Sequence, residues 1–123
     1  MYLKEIVENL DRAVVQAQPV NQISQYNQVS LDDAYEIQKL TIDRRYGRGE
    51  KLIGIKLGFA SEAKMKQMGV SDMIWHRLTD QMLIEDGGVI ELKKSIHPRA
   101  EPEVCFRIST DIEGEIALED LDQ

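Results

Sequence analysis

Apolar residues recur at spacings of three and four through the first fifty positions, and the period shortens beyond them. Leu3, Ile6, Val7, Leu10 and Val14 form one stripe with polar residues between them. That spacing predicts an amphipathic helix over 2–17. Gln18-Pro19-Val20-Asn21-Gln22 breaks the pattern, and the Gln- and Asn-rich stretch 22–29 reads as a loop. Ser30 then stands as an N-cap, with Asp32 and Asp33 in the first turn. A second helix is predicted from about Leu31 to Tyr46, with Ala34, Ile37, Leu40 and Thr41 along one side and Gly47 and Gly49 ending it.

From Leu52 the pattern changes. Leu52-Ile53-Gly54-Ile55-Lys56-Leu57-Gly58-Phe59 is a short apolar run with β-branched residues, which predicts a buried strand. Ser61 is placed to cap a short helix over 62–68, closed by Gly69. Residues 71–82 have mixed character around Trp75. Asp86-Gly87-Gly88, between Leu83-Ile84 and Val89-Ile90, reads as a hairpin turn. Glu103 to Ser109 reads as another strand, and Asp111-Ile112-Glu113-Gly114 as a turn.

The expected architecture is α+β: a helical region over 1–50, then a β-rich region over 51–123. There is no internal repeat. The run from Ile116 to Gln123 reads as the start of a helix, and a few strands without closure leave open edges. The chain therefore reads as part of a larger fold. Its open edges predict pairing with a second copy or with a related subunit.

Composition narrows the function classes. A chain of 123 residues with 42% hydrophobic and 30% charged residues is ordinary for a globular domain. The net charge of −7 argues against a nucleic-acid partner, which would call for a basic patch. No apolar run approaches the length of about 18 residues that a membrane helix needs. The charged start, Met1-Tyr2-Leu3-Lys4-Glu5, is unlike a signal peptide. The single Cys105 has no internal partner, so a reducing cytoplasm is the expected compartment.

The candidate chemistry gathers in His97-Pro98-Arg99-Ala100-Glu101-Pro102-Glu103-Val104-Cys105-Phe106. In an extended chain Glu101 and Glu103 point to one face, their Cα atoms about 7 Å apart. Two carboxylates so placed can share a hard cation through oxygen, although paired glutamates on a strand are more commonly a solvated face. Pro98 and Pro102 stiffen the segment. Lys56 is a lone cation in an apolar run between Gly54 and Gly58. Either it snorkels to water, or it faces an anionic ligand that the glycines allow to approach. His97, before a proline, reads as a turn residue. Trp75 and Cys105 read as core residues, and His76 is ambiguous.

These elements, taken in order, resemble the 2-keto-4-pentenoate hydratase / 4-oxalocrotonate decarboxylase family of the fumarylacetoacetate hydrolase-like superfamily. The matching pieces are Asp33-Ala34-Tyr35-Glu36-Ile37-Gln38, Gly54-Ile55-Lys56-Leu57-Gly58, Met68-Gly69-Val70, Trp75 to Met82, Asp86-Gly87-Gly88, and His97 to Glu103. The resemblance implies an N-terminal helical segment followed by the first part of that superfamily's mixed β fold, with the remainder missing. It implies that Glu101 and Glu103 are metal ligands, that Lys56 is the active-site lysine, and that the metal is Mg2+ or Mn2+. The implied substrate is a small 2-oxo acid from the meta-cleavage breakdown of aromatic compounds.

The chemistry agrees with that resemblance. A 2-oxo acid offers carboxylate and ketone oxygens as a chelate, and a metal steadies the dienolate through which either decarboxylation or hydration runs. Hydratases of the family carry a Pro-Asp-aromatic-Gly segment where this chain has Met73-Ile74-Trp75-His76. Val70 to Trp75 and Ile96-His97-Pro98 look more like the decarboxylases, so decarboxylation of a 2-oxo-hexenedioate is the expected reaction and hydration the alternative. His76 stands where both branches have Gly, which changes the local backbone requirement. A different class of function, a non-catalytic interaction module built on open strand edges, is the rival expectation.

Overall fold

The computed structural model describes residues 3–23 and 29–117. Much of the loop expected over 22–29, and most of the helix start expected after Ile116, lie outside the described residues. Two helices come first: α1 (Leu3–Gln16) and α2 (Leu31–Gly47). Strand β1 (Leu52–Gly58), the short helix α3 (Glu62–Met68) and strand β2 (Ile74–Thr79) follow. Two single 3-10 turns, Asp80–Met82 and Leu92–Lys94, come after β2. The described residues thus combine helices with one small antiparallel sheet, the mixed class expected.

Local signals hold up closely. The Ser30 hydroxyl accepts from the Asp33 backbone N–H at 3.1 Å, and the Asp33 carboxylate accepts from the Ser30 N–H at 3.0 Å. This reciprocal box satisfies donors that an uncapped helix start leaves open. Ser61 caps α3 through the Lys64 N–H at 3.2 Å. Gly69, at φ +69°, closes α3 in the left-handed conformation that glycine adopts without steric penalty.

The core lies between α1 and α2. Ile6, Val7 and Ile37 are buried together, with Leu3, Leu10, Ile23, Val29 and Leu40 packed around them. Ile42 is the most enclosed of the buried apolar side chains, at 1% exposure. The stripe expected on α1 is shifted at its end. Val14 is half exposed, and Asp11 is buried instead. The reason is electrostatic: Arg44 reaches Asp11 at 2.8 Å and Arg48 reaches it at 2.9 Å. Burial pushes the Asp11 carboxyl up, but the two guanidiniums outweigh it and hold it below the ordinary carboxylate range.

A second ionic node joins the helices to the sheet. Glu50 accepts from Arg45 at 3.0 Å and from the fully buried Thr79 hydroxyl at 2.5 Å. Burial raises the Glu50 carboxyl, and these partners bring it below its usual value. Beside it the Lys51 N–H donates to Asp80 at 2.9 Å, and the Asp80 N–H returns to the Lys51 carbonyl at 2.9 Å. These contacts clamp the entry of β1 onto the exit of β2.

Around the sheet the structure departs from the sequence reading at several points. β1 is a strand but is not buried: Leu52, Ile53, Ile55 and Leu57 remain about half exposed. Residues 74–79, of undecided character in the sequence, become β2 because β1 offers them a ladder. The strand expected over Glu103 to Ser109 does not form, and Val104, Phe106 and Ile108 are exposed at 82%, 84% and 67%. Cys105 is exposed as well. An extended run becomes a strand only where another edge takes its N–H and C=O groups. No described strand lies alongside this one. The hairpin expected at Asp86-Gly87-Gly88 is likewise reduced to its turn, with the Gly88 N–H on the Glu85 carbonyl at 2.8 Å and no flanking ladder.

Candidate active site

The ladder between β1 and β2 sets the site. Leu52 pairs with Thr79, an irregularity at Ile53 absorbs one residue, and from there Gly54 pairs with Leu78, Lys56 with His76 and Gly58 with Ile74. Directly opposed residues in an antiparallel pair project to the same face. Lys56, Gly58, Ile74 and His76 therefore form one patch. α2 supplies the other wall through Leu31, Ala34, Tyr35 and Gln38, spaced i, i+3, i+4 and i+7. The cleft between them, with Trp75 at its side, holds about 270 Å3 and is almost wholly apolar in its lining.

Three contacts hold the wall in place. The Tyr35 and Trp75 rings stack at 5.4 Å with 24° between their planes. The Arg77 guanidinium covers the Trp75 ring at 4.7 Å, a cation–π contact. The Gln38 amide donates to the Trp75 carbonyl at 2.8 Å. Its oxygen is buried and has no hydrogen-bond partner among the described residues. At Gly58 an added Cβ would come within 3.0 Å of the Ile74 side chain, which would have to give by a few tenths of an ångström, so this flank of Lys56 is closely packed. Gly54 meets open space and leaves the other flank clear.

Lys56 and Glu103 meet, as the pair expected to share a site must. The Lys56 ammonium donates to a Glu103 carboxylate oxygen in an ion pair, the two side chains 42% and 48% exposed. Lys56 lines the cleft and Glu103 is paired with it, while neither Glu101 nor Glu103 is itself among the lining residues. Glu101 is exposed and has no ion pair or hydrogen bond among the described residues. His97 stands apart as a turn residue, at φ 48°. Trp75, expected in the core, is a half-buried wall of the cleft.

The donor set fits half of a hard-cation site. Glu101 and Glu103 flank Pro102, and the described residues contain no group of three His, Cys, Asp or Glu able to hold a metal. Mg2+ commonly takes one or two protein carboxylates and fills its octahedron with water and ligand oxygens. A two-carboxylate seat is compatible with that habit, and the exposed position of both residues leaves room for the remaining ligands.

Sequence reasoning passed over Tyr35, Gln38 and Trp75 as site residues. The signal was present in α2: the face made by Leu31, Ala34, Tyr35 and Gln38 is distinct from the face that buries Ile37 against α1.

No family model matches the chain. Individual proteins do. A 4-oxalocrotonate decarboxylase from Pseudomonas sp is 44% identical over 116 residues, which is 94% of this chain and 45% of that protein. A 2-hydroxypent-2,4-dienoate hydratase from Pseudomonas putida is 33% identical over 114 residues, 91% of this chain and 51% of the relative. Among solved structures, 4-oxalocrotonate decarboxylase from Pseudomonas putida G7 complexed with calcium and acetate superposes with a TM-score of 0.73 at 32% identity, covering 77% of this chain and 37% of that one. The same enzyme complexed with magnesium and adipate gives 0.60 at 30% identity, covering 64% and 30%. The chain spans about half the length of the curated relatives it matches. Over the half that it spans, the chain belongs to the family of 4-oxalocrotonate decarboxylases and 2-hydroxypentadienoate hydratases.

Proposed function

We propose that the chain carries the cleft and two carboxylates of a metal-dependent lyase that decarboxylates a 2-oxo-hexenedioate. The observation that carries the reading is the ion pair of Glu103 with Lys56, a residue that lines the apolar cleft, the two being remote in sequence and expected separately to serve one site. The higher identity to a decarboxylase than to a hydratase supports the choice of reaction.

Each group has a task. Glu101 and Glu103 are the carboxylates that would hold Mg2+ or Mn2+, and such an ion, when bound, polarises the ketone and carboxylate oxygens of a 2-oxo acid. Tyr35, Ile74 and Trp75 receive the conjugated hydrocarbon and keep water from it. Loss of CO2 breaks one C–C bond, and its electron pair moves into the conjugated chain toward the ketone. A proton must then be returned to carbon. Lys56, flanked by the close-packed Gly58 and the open Gly54, is the residue assigned to compensating negative charge on the acid and handling that proton.

The test is calorimetry of the chain with Mg2+ and oxalate, a stand-in for the 2-oxo acid. Binding that requires both components is expected, with Glu101→Gln and Glu103→Gln each weakening the Mg2+ step at least tenfold. Oxalate binding that is indifferent to both substitutions removes the metal assignment. With substrate, released CO2 identifies the decarboxylase, and uptake of water without CO2 identifies the hydratase.

A second reading has its own observation. Exposed Val104, Phe106 and Ile108 alternate along an unpaired extended segment, a pattern suited to adding onto another edge. A stable oligomer by light scattering, with no oxalate binding, would favour an interaction module.

A further inference from the structure

We propose that His76 is a second anion-facing contact in the Lys56 cleft and that it selects ligands carrying two carboxylates. The inference rests on the keto-acid reading of the cleft and deepens it. His76 is the direct ladder partner of Lys56, and both residues line the same 270 Å3 cavity. Apart from these two, the lining is hydrocarbon, the Tyr35 and Trp75 rings with their O–H and N–H, and the Gln38 amide, one N–H of which is committed to the Trp75 carbonyl.

The two cationic candidates differ in how they are engaged. The Lys56 ammonium is paired with Glu103, a carboxylate proposed to hold the metal, so the keto-acid end of the ligand is served on that side. A dicarboxylate brings two negative ends into a cleft with no other charged side chain in its lining. One end falls to the Lys56 and Glu103 side. The other end needs a partner, and His76, opposite Lys56 on the ladder, is the remaining lining residue whose donor can be charge-assisted.

Its ring is already oriented. His76 Nδ1 lies 2.5 Å from the Arg77 carbonyl oxygen. A carbonyl only accepts, so Nδ1 carries the hydrogen and Nε2 is left as the ring's variable position. A proton taken up at Nε2 as the second carboxylate arrives gives an Nε2–H that donates to it, a charge-assisted bond that a monoacid cannot make. Arg77 does not compete for this task, because its guanidinium is stacked on the Trp75 ring.

The experiment compares adipate with hexanoate, two six-carbon acids that differ by one carboxylate, in the presence of Mg2+. Calorimetry on the chain is expected to give tighter binding of adipate. In His76→Ala the loss should be steeper for adipate, so that the adipate-to-hexanoate affinity ratio falls roughly tenfold, the scale of one hydrogen bond to a charged group. His76→Gln, a neutral donor, should recover part of the ratio. A second readout needs no substitution in the cleft: the chain has two histidines, so His97→Gln leaves one set of imidazole 15N signals to observe. The Nε2 signal should move with adipate and not with hexanoate. An unchanged ratio in His76→Ala, or an Nε2 signal indifferent to saturating adipate, overturns the assignment while Mg2+-dependent adipate binding leaves the keto-acid reading standing. Failure of the unsubstituted chain to bind either acid removes both.

Discussion

The α1–α2 seam and the segment 95–117 are both rich in apolar residues, yet one is a core and the other lies open. On the seam, Ile6 is 2% exposed and Ile37 6%, because each helix presents its stripe to the other. In the late segment Val104, Phe106 and Ile108 alternate as regularly, and all three face solvent. The difference lies in what stands opposite. Burial of apolar area stabilises by roughly 25 cal/mol per Å2, but only when a second surface removes that area from water. A helix satisfies its own backbone bonds, whereas an extended segment needs a neighbour for them as well. The late segment therefore lacks both contributions at once.

Denaturation would break this contrast most directly. Ile6→Ala should cost about 2–5 kcal/mol in urea unfolding, the usual range for emptying a closed site. Phe106→Ala should stay within about 0.5 kcal/mol, as for a surface position. Equal losses in the two variants would mean that Phe106 is packed in solution, and the two regions would no longer differ.

Acid sharpens the same boundary from the ionic side. Asp11 is the buried carboxylate of the seam, and Arg44 and Arg48 hold its proton affinity below that of the unfolded chain. Such a group contributes stability above its unfolded value, about 3.9 for Asp, and loses it as pH falls through the lower folded value. Unfolding measured between pH 5 and 2 should show that loss, and Asp11→Asn should flatten it. At neutral pH Asp11→Asn should cost about 1–3 kcal/mol, less than a fully buried pair because both arginines are about 40% exposed. A variant that keeps the full acid dependence would place its source elsewhere.

A small effect on stability is also expected where function is proposed. Lys56 and Glu103 are both partly exposed, so Lys56→Ala should change stability by about 0–1 kcal/mol. The same substitution should strongly impair ligand binding or turnover. A large stability loss would make this lysine part of the scaffold instead.

Much of the fold was legible where the cause is short-ranged. Ser30 and Asp33 close a box over three residues, Ser61 caps four residues of chain, and Gly69 takes the one conformation that ends α3 there. The periodic stripe of α1 was legible as well, except at Asp11, whose burial depends on arginines 33 and 37 positions away. β2 was missed because its residues alternate poorly; its strand character comes from the ladder with β1. The strand expected at Glu103 was a sound local reading that found no partner among the described residues.

The site divides along the same line. Residue types pointed to Glu101, Glu103 and Lys56, since hard cations and anionic ligands demand oxygen donors and an ammonium. What the amino acids could not announce was that Lys56 lies against Glu103, 47 positions later, or beside His76 across a ladder shifted by one residue at Ile53. Nor could they announce that the second face of α2 would bring Tyr35 and Gln38 to Trp75. Caps, turns and helical stripes follow from neighbours a few bonds apart. Meetings between distant segments exist only once the chain has folded, because one residue's difference in strand register sends every side chain to the opposite face.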